Sequence, residues 1–94
     1  MQIRWLRKAA QNLDDAYDYV AKDNPKAAKE LVQEVYRLVN LLKTQPSMGR
    51  AGRVAGTREL VVPDYPFIIP YRIQHDEIQI LRVFHTRLRL PSHW

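Results

Sequence analysis

The sequence contains no cysteine, which excludes a disulfide scaffold and a thiolate metal site and suits a reducing cytosol. It has no long apolar run either. The longest, Pro66–Tyr71, falls far short of the roughly 20 residues that cross a bilayer. Arg4, Arg7 and Lys8 lead into an amphipathic pattern rather than the apolar stretch of a secretory signal. A cytoplasmic protein without membrane contact is therefore expected. The histidines His75, His85 and His93 are scattered and no HExxH occurs, so no metal is expected. Ser47 and Ser92 sit in no nucleophile turn, and neither a P-loop nor a dinucleotide fingerprint is present, so no cofactor is expected.

What is present fits one domain spanning 1–94, with 46% hydrophobic and 27% charged residues. The net charge of +5 favours acidic partners such as nucleic acid, a ribosome or an acidic protein. Its distribution is uneven. Residues 1–44 hold all five lysines with three arginines. The seven basic residues of 45–94 are all arginine: Arg50, Arg53, Arg58, Arg72, Arg82, Arg87 and Arg89. A guanidinium fork makes oriented contacts to phosphate or carboxylate that an ammonium does not. The second half is thus the expected binding surface, a guanidinium-lined region gripping a negatively charged macromolecule.

Ile3 and Trp5 alternate within Gln2–Trp5, as in a short strand. From Leu6 to Val20, apolar residues recur at three- and four-residue steps, which predicts a helix with Asp14, Asp15 and Asp18 on its wet face. Asn24 and Pro25 supply an N-cap and a first-turn proline, and a second stripe runs from Ala28 to Leu42. Thr44–Gly56 reads as a loop kept loose by Gly49, Gly52 and Gly56. Arg58–Val62, Phe67–Ile73 and Ile78–His85 read as strands. His75-Asp76 is not a favoured two-residue turn pair, so a longer connection is expected before the last strand. Pro70 falls inside a strand and requires a bulge or an outward-facing nitrogen.

The order βααβββ is an α+β domain: an N-terminal strand, then an antiparallel helical hairpin on one face of a small, mainly antiparallel sheet. Pairing Ile73 with Ile78 sets Tyr71 opposite Ile80, Ile69 opposite Arg82 and Phe67 opposite Phe84. Phe84 then joins the core face, while Arg72 and His85 share the other face at opposite ends.

One chemistry is open to the basic set without metal. RNA cleavage would use His85 and Glu59 as acid and base, with arginines of the set Arg50, Arg53, Arg58, Arg72, Arg82 and Arg87 stabilising the phosphorane. The alternative is a strand-end His85 satisfied by backbone, with the arginines binding an acidic partner. Whether the protein is an enzyme stays open at this point.

Arg58-Glu59-Leu60, Pro70-Tyr71-Arg72-Ile73 and Ile80-Leu81-Arg82-Val83-Phe84-His85-Thr86-Arg87 form an ordered set that resembles the RelE/ParE toxins of type II toxin–antitoxin systems. Asn24-Pro25-x-Ala27-Ala28 and Pro46-x-x-Gly49-Arg50 extend the likeness over nearly the whole chain. The resemblance implies a toxin neutralised by a cognate antitoxin, with promoter DNA bound only through that antitoxin. It implies one of two targets: DNA gyrase for ParE-like members, or mRNA on the ribosome for RelE-like nucleases. The long helical hairpin and the Leu81–Arg87 ending look more like ParE. RelE nucleases tend to carry a middle-strand arginine, whereas Phe67 or Ile68 stands there, and the tail has no tyrosine. In the nuclease case the resemblance and the residues together point to His85, Arg87 and Arg72 as catalytic. Arg50, Arg53, Arg58, Arg82 and Arg89 are the expected binding residues.

Overall fold

The computed structural model describes residues Met1–Trp94. Strand β1 (Gln2–Trp5) leads into helix α1 (Arg7–Ala21) and helix α2 (Pro25–Leu41). Five further strands follow, β2 (Arg50–Ala51), β3 (Arg58–Val61), β4 (Phe67–Gln74), β5 (Glu77–Ile80) and β6 (Phe84–His85), and then the C-terminal tail. The sheet order is β1-β5-β4-β3-β2, with β6 also on β4. Only the β1–β5 pair is parallel.

The helices form where the apolar stripes predict them. Asn24 Oδ1 accepts from the Ala27 N–H at 3.1 Å, and Pro25 opens α2 without losing a bond. The stripes meet each other and the sheet through Ala9, Leu13 and Ala16 of α1 and Leu31, Val35 and Val39 of α2. Leu60, Ile69, Tyr71, Ile78 and Ile80 face them from the strands.

The β4–β5 hairpin has the expected register, Tyr71 with Ile80 and Ile73 with Ile78. Its turn is shorter than expected. Gln74 pairs with Glu77, and His75 and Asp76 both take left-handed backbone, φ 55° and 59°. Those are the signs a two-residue hairpin turn requires, and Asp and His enter that region more readily than most residues.

Beyond Ile80 the expected single strand is broken. Leu81 N–H donates to the Pro70 carbonyl at 2.9 Å, and proline has no N–H to return the bond. Pairing resumes with Ile68–Phe84 and Phe67–His85, so Arg82 and Val83 together oppose Ile69, as in a β-bulge. This extra residue reverses the faces of everything after it. Val83 enters the core instead of Phe84. Phe84 turns to the outer face, where the Trp94 ring packs on it at 5.2 Å. The outer face is thus covered in part by the returning tail, and Ile68, Leu81 and Phe84 are buried there.

The Thr44–Gly56 segment is not loose. The Tyr71 hydroxyl donates to the Pro46 carbonyl at 2.7 Å and accepts from the Gly49 N–H at 3.0 Å. A Cβ on Gly49 would lie 2.6 Å from the Tyr71 ring, and one on Gly52 would lie 2.2 Å from Thr57 Oγ1. Gly49 and Gly52 are there for close approach rather than for freedom, while Gly56, with φ 79° and open space around it, supplies a left-handed backbone.

Candidate functional site

Glu59 organises the first arginines. It is buried on β3, and its Oε1 accepts from Arg50 Nε at 3.2 Å while Oε2 accepts from the Arg53 backbone N–H at 3.1 Å. Arg50 is therefore a counter-ion, and the two-residue strand β2 is held against β3 by that pair. Arg58 is also structural in part, since its Nη1 donates to the carbonyls of Ser47 at 3.3 Å and Gly49 at 2.9 Å. Arg53 takes part in no ion pair, and neither does Arg89 of the tail; the two line one small cleft.

Arg72 stands on the outer face. Its Nε donates to Gln79 Oε1 at 2.7 Å, Gln79 Nε2 donates to Glu77 Oε1 at 2.8 Å, and Arg4 lies 3.5 Å from the same carboxylate. The Gln79 bond, with Arg4 nearby, holds the Glu77 carboxyl below the usual range. Arg72 shares a hollow of about 710 Å³ with Arg7, Lys8 and Trp94, roofed by the tail.

Arg82, His85 and Arg87 lie on the helix side, in a groove of about 490 Å³ between α1 and β6. Asn12 fixes Arg82: its Oδ1 accepts from Arg82 Nε at 2.6 Å and from the Val83 N–H at 3.3 Å. His85 packs edge-on against Phe67 at 5.0 Å and Tyr19 at 5.8 Å. Its Nδ1 accepts from the Arg87 backbone N–H at 3.1 Å, which leaves the ring proton on Nε2. The groove floor is apolar, with Tyr19 and Leu88 largely exposed.

The expected His85–Glu59 acid–base pair is not assembled. His85 pairs with Phe67 and Glu59 with Pro70, residues on opposite faces of β4, because the bulge turns His85 toward the helices. The same reversal removes His85 from the face of Arg72. Nor do the second-half arginines share one concavity: Arg82 and Arg87 line the α1–β6 groove, Arg72 the hollow under the tail, and Arg53 and Arg89 their own cleft, while Arg50 and Arg58 line none of the three. No three His, Asp or Glu side chains stand together as a metal site would require. No helix is long and apolar enough to cross a membrane.

Asn12, Tyr19 and Leu88 were not singled out by the sequence reading. Tyr19 carried a signal, being an aromatic residue off the α1 stripe. Asn12 carried none, because its partner is 70 positions away.

Comparison with known proteins gives three likenesses. Residues 3–89 match the family described as the ParE toxin of the type II toxin-antitoxin system parDE. A protein of Sinorhizobium fredii (strain NBRC 101917 / NGR234), described as a candidate toxin, Y4kP, is 43% identical over 91 residues, 97% of this chain and 94% of that protein. A solved chain of the chromosomal ParDE toxin–antitoxin system from P. aeruginosa is similar with a TM-score of 0.82 and 36% identity, covering 90% of this chain and 95% of that one.

Proposed function

Because the chain belongs to the ParE toxin family of type II toxin–antitoxin systems, we propose that it arrests growth by inhibiting DNA gyrase and is neutralised by a cognate antitoxin seated in the α1–β6 groove. The observation that carries the target reading is the separation of His85 from Glu59 on opposite faces of the sheet. Metal-free RNA cleavage needs a base and an acid reaching one ribose phosphate. His85 Nδ1 is instead occupied by a backbone N–H, and Asp15, the carboxylate of its groove, is hydrogen-bonded by Gln11 at 3.0 Å. A toxin that works by binding needs no such pair.

The groove suits a protein segment. Exposed Tyr19 and Leu88 give apolar anchors beside Phe67, and Arg82 and Arg87 rim them with positive charge. An amphipathic antitoxin segment with acidic residues at its edges matches that pattern. In this reading the pair works in the cytoplasm, and promoter DNA is bound only through the antitoxin.

A second reading, ribosome-dependent mRNA cleavage, draws on one observation: Arg82, His85 and Arg87 line one groove. Purified toxin separates the two. Gyrase supercoiling and primer extension on mRNA in a translating extract are measured side by side. The expected result is blocked supercoiling with intact mRNA. Ribosome-dependent cuts in phase with codons, with supercoiling unaffected, would reject the gyrase reading.

A further inference from the structure

The smallest of the three basic hollows differs from the others in its chemistry. It has a volume of about 400 Å³ and lies between loop residue Arg53 and the tail residues Arg89–Ser92. Two guanidiniums and one hydroxyl line it, and no carboxylate does. Neither guanidinium has a carboxylate within ion-pair distance, whereas Arg4, Arg37 and Arg50 each have one.

The cleft is also held from both sides. Glu59 takes the Arg53 backbone N–H, so the loop wall is tied to β3. The tail wall is brought back over the sheet by the contact of Trp94 with Phe84. Two like charges brought together by separate segments repel each other, and an anion between them removes that repulsion.

We propose that Arg53 and Arg89 form a phosphate-binding cleft that takes the sugar–phosphate backbone of a nucleic acid. A tetrahedral phosphate offers oxygens to two forks from different directions and to the Ser92 hydroxyl, whereas a carboxylate presents only two oxygens, both in one plane. A protein segment would need apolar anchors in the cleft, and Leu90 and Pro91 are the only apolar residues lining it. The inference goes beyond the target reading, since a gyrase–DNA complex and a ribosome both present phosphodiester backbones.

The test is the salt dependence of nucleic-acid binding, measured by fluorescence anisotropy on the full chain. The probes are a labelled DNA duplex and a labelled single-stranded RNA of mixed sequence. A phosphate contact contributes about 0.9 to the slope of log affinity against log salt for duplex DNA and about 0.7 for a single strand. Arg53→Ala and Arg89→Ala are each expected to lower the slope by about that amount, and the double variant by about twice it. Arg53→Lys and Arg89→Lys should restore the slope, which a merely structural role would not allow. Lys26→Ala removes the same charge from the exposed start of α2 and is expected to leave the slope nearly unchanged. The duplex and RNA arms tell which backbone is preferred, and dependence on both arginines in either arm supports the site. Slopes for the arginine variants equal to that of Lys26→Ala would overturn it. So would dependence on Arg53 and Arg89 for an acidic peptide of ten glutamates but for neither nucleic acid. The assay contains neither gyrase nor ribosome, so its failure and that of the target reading are separate results.

Discussion

Asn12 on the first helix grips Arg82 at the bulge of the last strand, accepting its Nε at 2.6 Å and the Val83 N–H at 3.3 Å with one oxygen. The bulge exists because Pro70 cannot return the bond it receives from Leu81, and Asn12 satisfies a donor that the broken ladder leaves over. This one side chain therefore ties α1 to the point where the strand changes face. Asn12→Ala is expected to cost about 1–3 kcal/mol, the range for leaving a part-buried donor unpaired. Urea denaturation reads that loss. Asn12→Asp keeps the acceptor and adds a charge-assisted bond, so it should lose much less. Equal losses for the two variants would mean that the oxygen is not what holds the bulge.

Tyr71 is the second such tie, between the sheet core and the arginine loop. Its hydroxyl bridges Pro46 and Gly49, and Tyr71→Phe leaves both of those groups without it at a cost of about 1–2 kcal/mol. Burial raises the pKa of this phenol, outweighing the opposing Gly49 N–H bond and the Arg58 charge. The folded state thus favours the uncharged hydroxyl. Stability from that preference is complete below the unfolded phenol value of about 10 and is lost as pH rises from there through the folded value. Melting temperature followed from neutral pH upward should fall less steeply in Tyr71→Phe than in the parent protein. Some alkaline fall remains, because burial raises the Tyr65 pKa in the same direction. Parallel curves for the two proteins would contradict the assignment.

Much of the frame was readable because it rests on local periodicity. The two helices follow from stripes at 3.6-residue spacing and from Asn24-Pro25, and the β4–β5 register follows from matching Tyr71 and Ile73 to Ile80 and Ile78. What escaped depends on partners distant in sequence. The bulge needs both the missing N–H of Pro70 and the Asn12 bond, and once it is missed, Val83, Phe84 and His85 are all assigned to the wrong face. Strand β2 is two residues, Arg50 and Ala51, with no pattern of their own; buried Glu59 makes them a strand. The arginines were legible as a basic set. Their division among three hollows was not, because it is decided by the bulge and by the return of Trp94.

Acid stability offers a third measurement. The Gln79 bond, then the Arg4 charge, hold the Glu77 carboxyl low, and the Arg37 hydrogen bond does the same for Glu34. For a carboxyl depressed on folding, the stabilisation is present above the unfolded value and is lost as pH falls through the folded one. Both groups are half-buried at the surface and still reached by solvent, so salt should weaken the effect. The double variant Glu34→Gln with Glu77→Gln is expected to show a flatter fall in melting temperature between about pH 5 and pH 2, most clearly at low ionic strength. An unchanged acid limb would mean that these ion pairs are not formed in solution.

The α1–β6 groove makes the strongest demand on the proposed antitoxin contact. Leu88 is 61% exposed and Tyr19 57% exposed, beside an apolar floor, and a partner that buries them would draw much of its affinity there. Leu88→Asp sets a carboxylate in that floor, whose burial by an acidic, apolar-faced segment is penalised twice, by desolvation and by like charge. Affinity for the cognate antitoxin is expected to fall by about 2 kcal/mol, near 30-fold, in isothermal titration. Tyr19→Ala should fall in the same direction. Lys26→Ala, at the start of α2, is the control and should bind as the parent does. The folded state itself should be little affected, because Leu88 already stands in water. If Leu88→Asp melts normally and still binds antitoxin as tightly as the parent, the antitoxin sits elsewhere, and the groove with its His85 becomes available again to the nuclease reading.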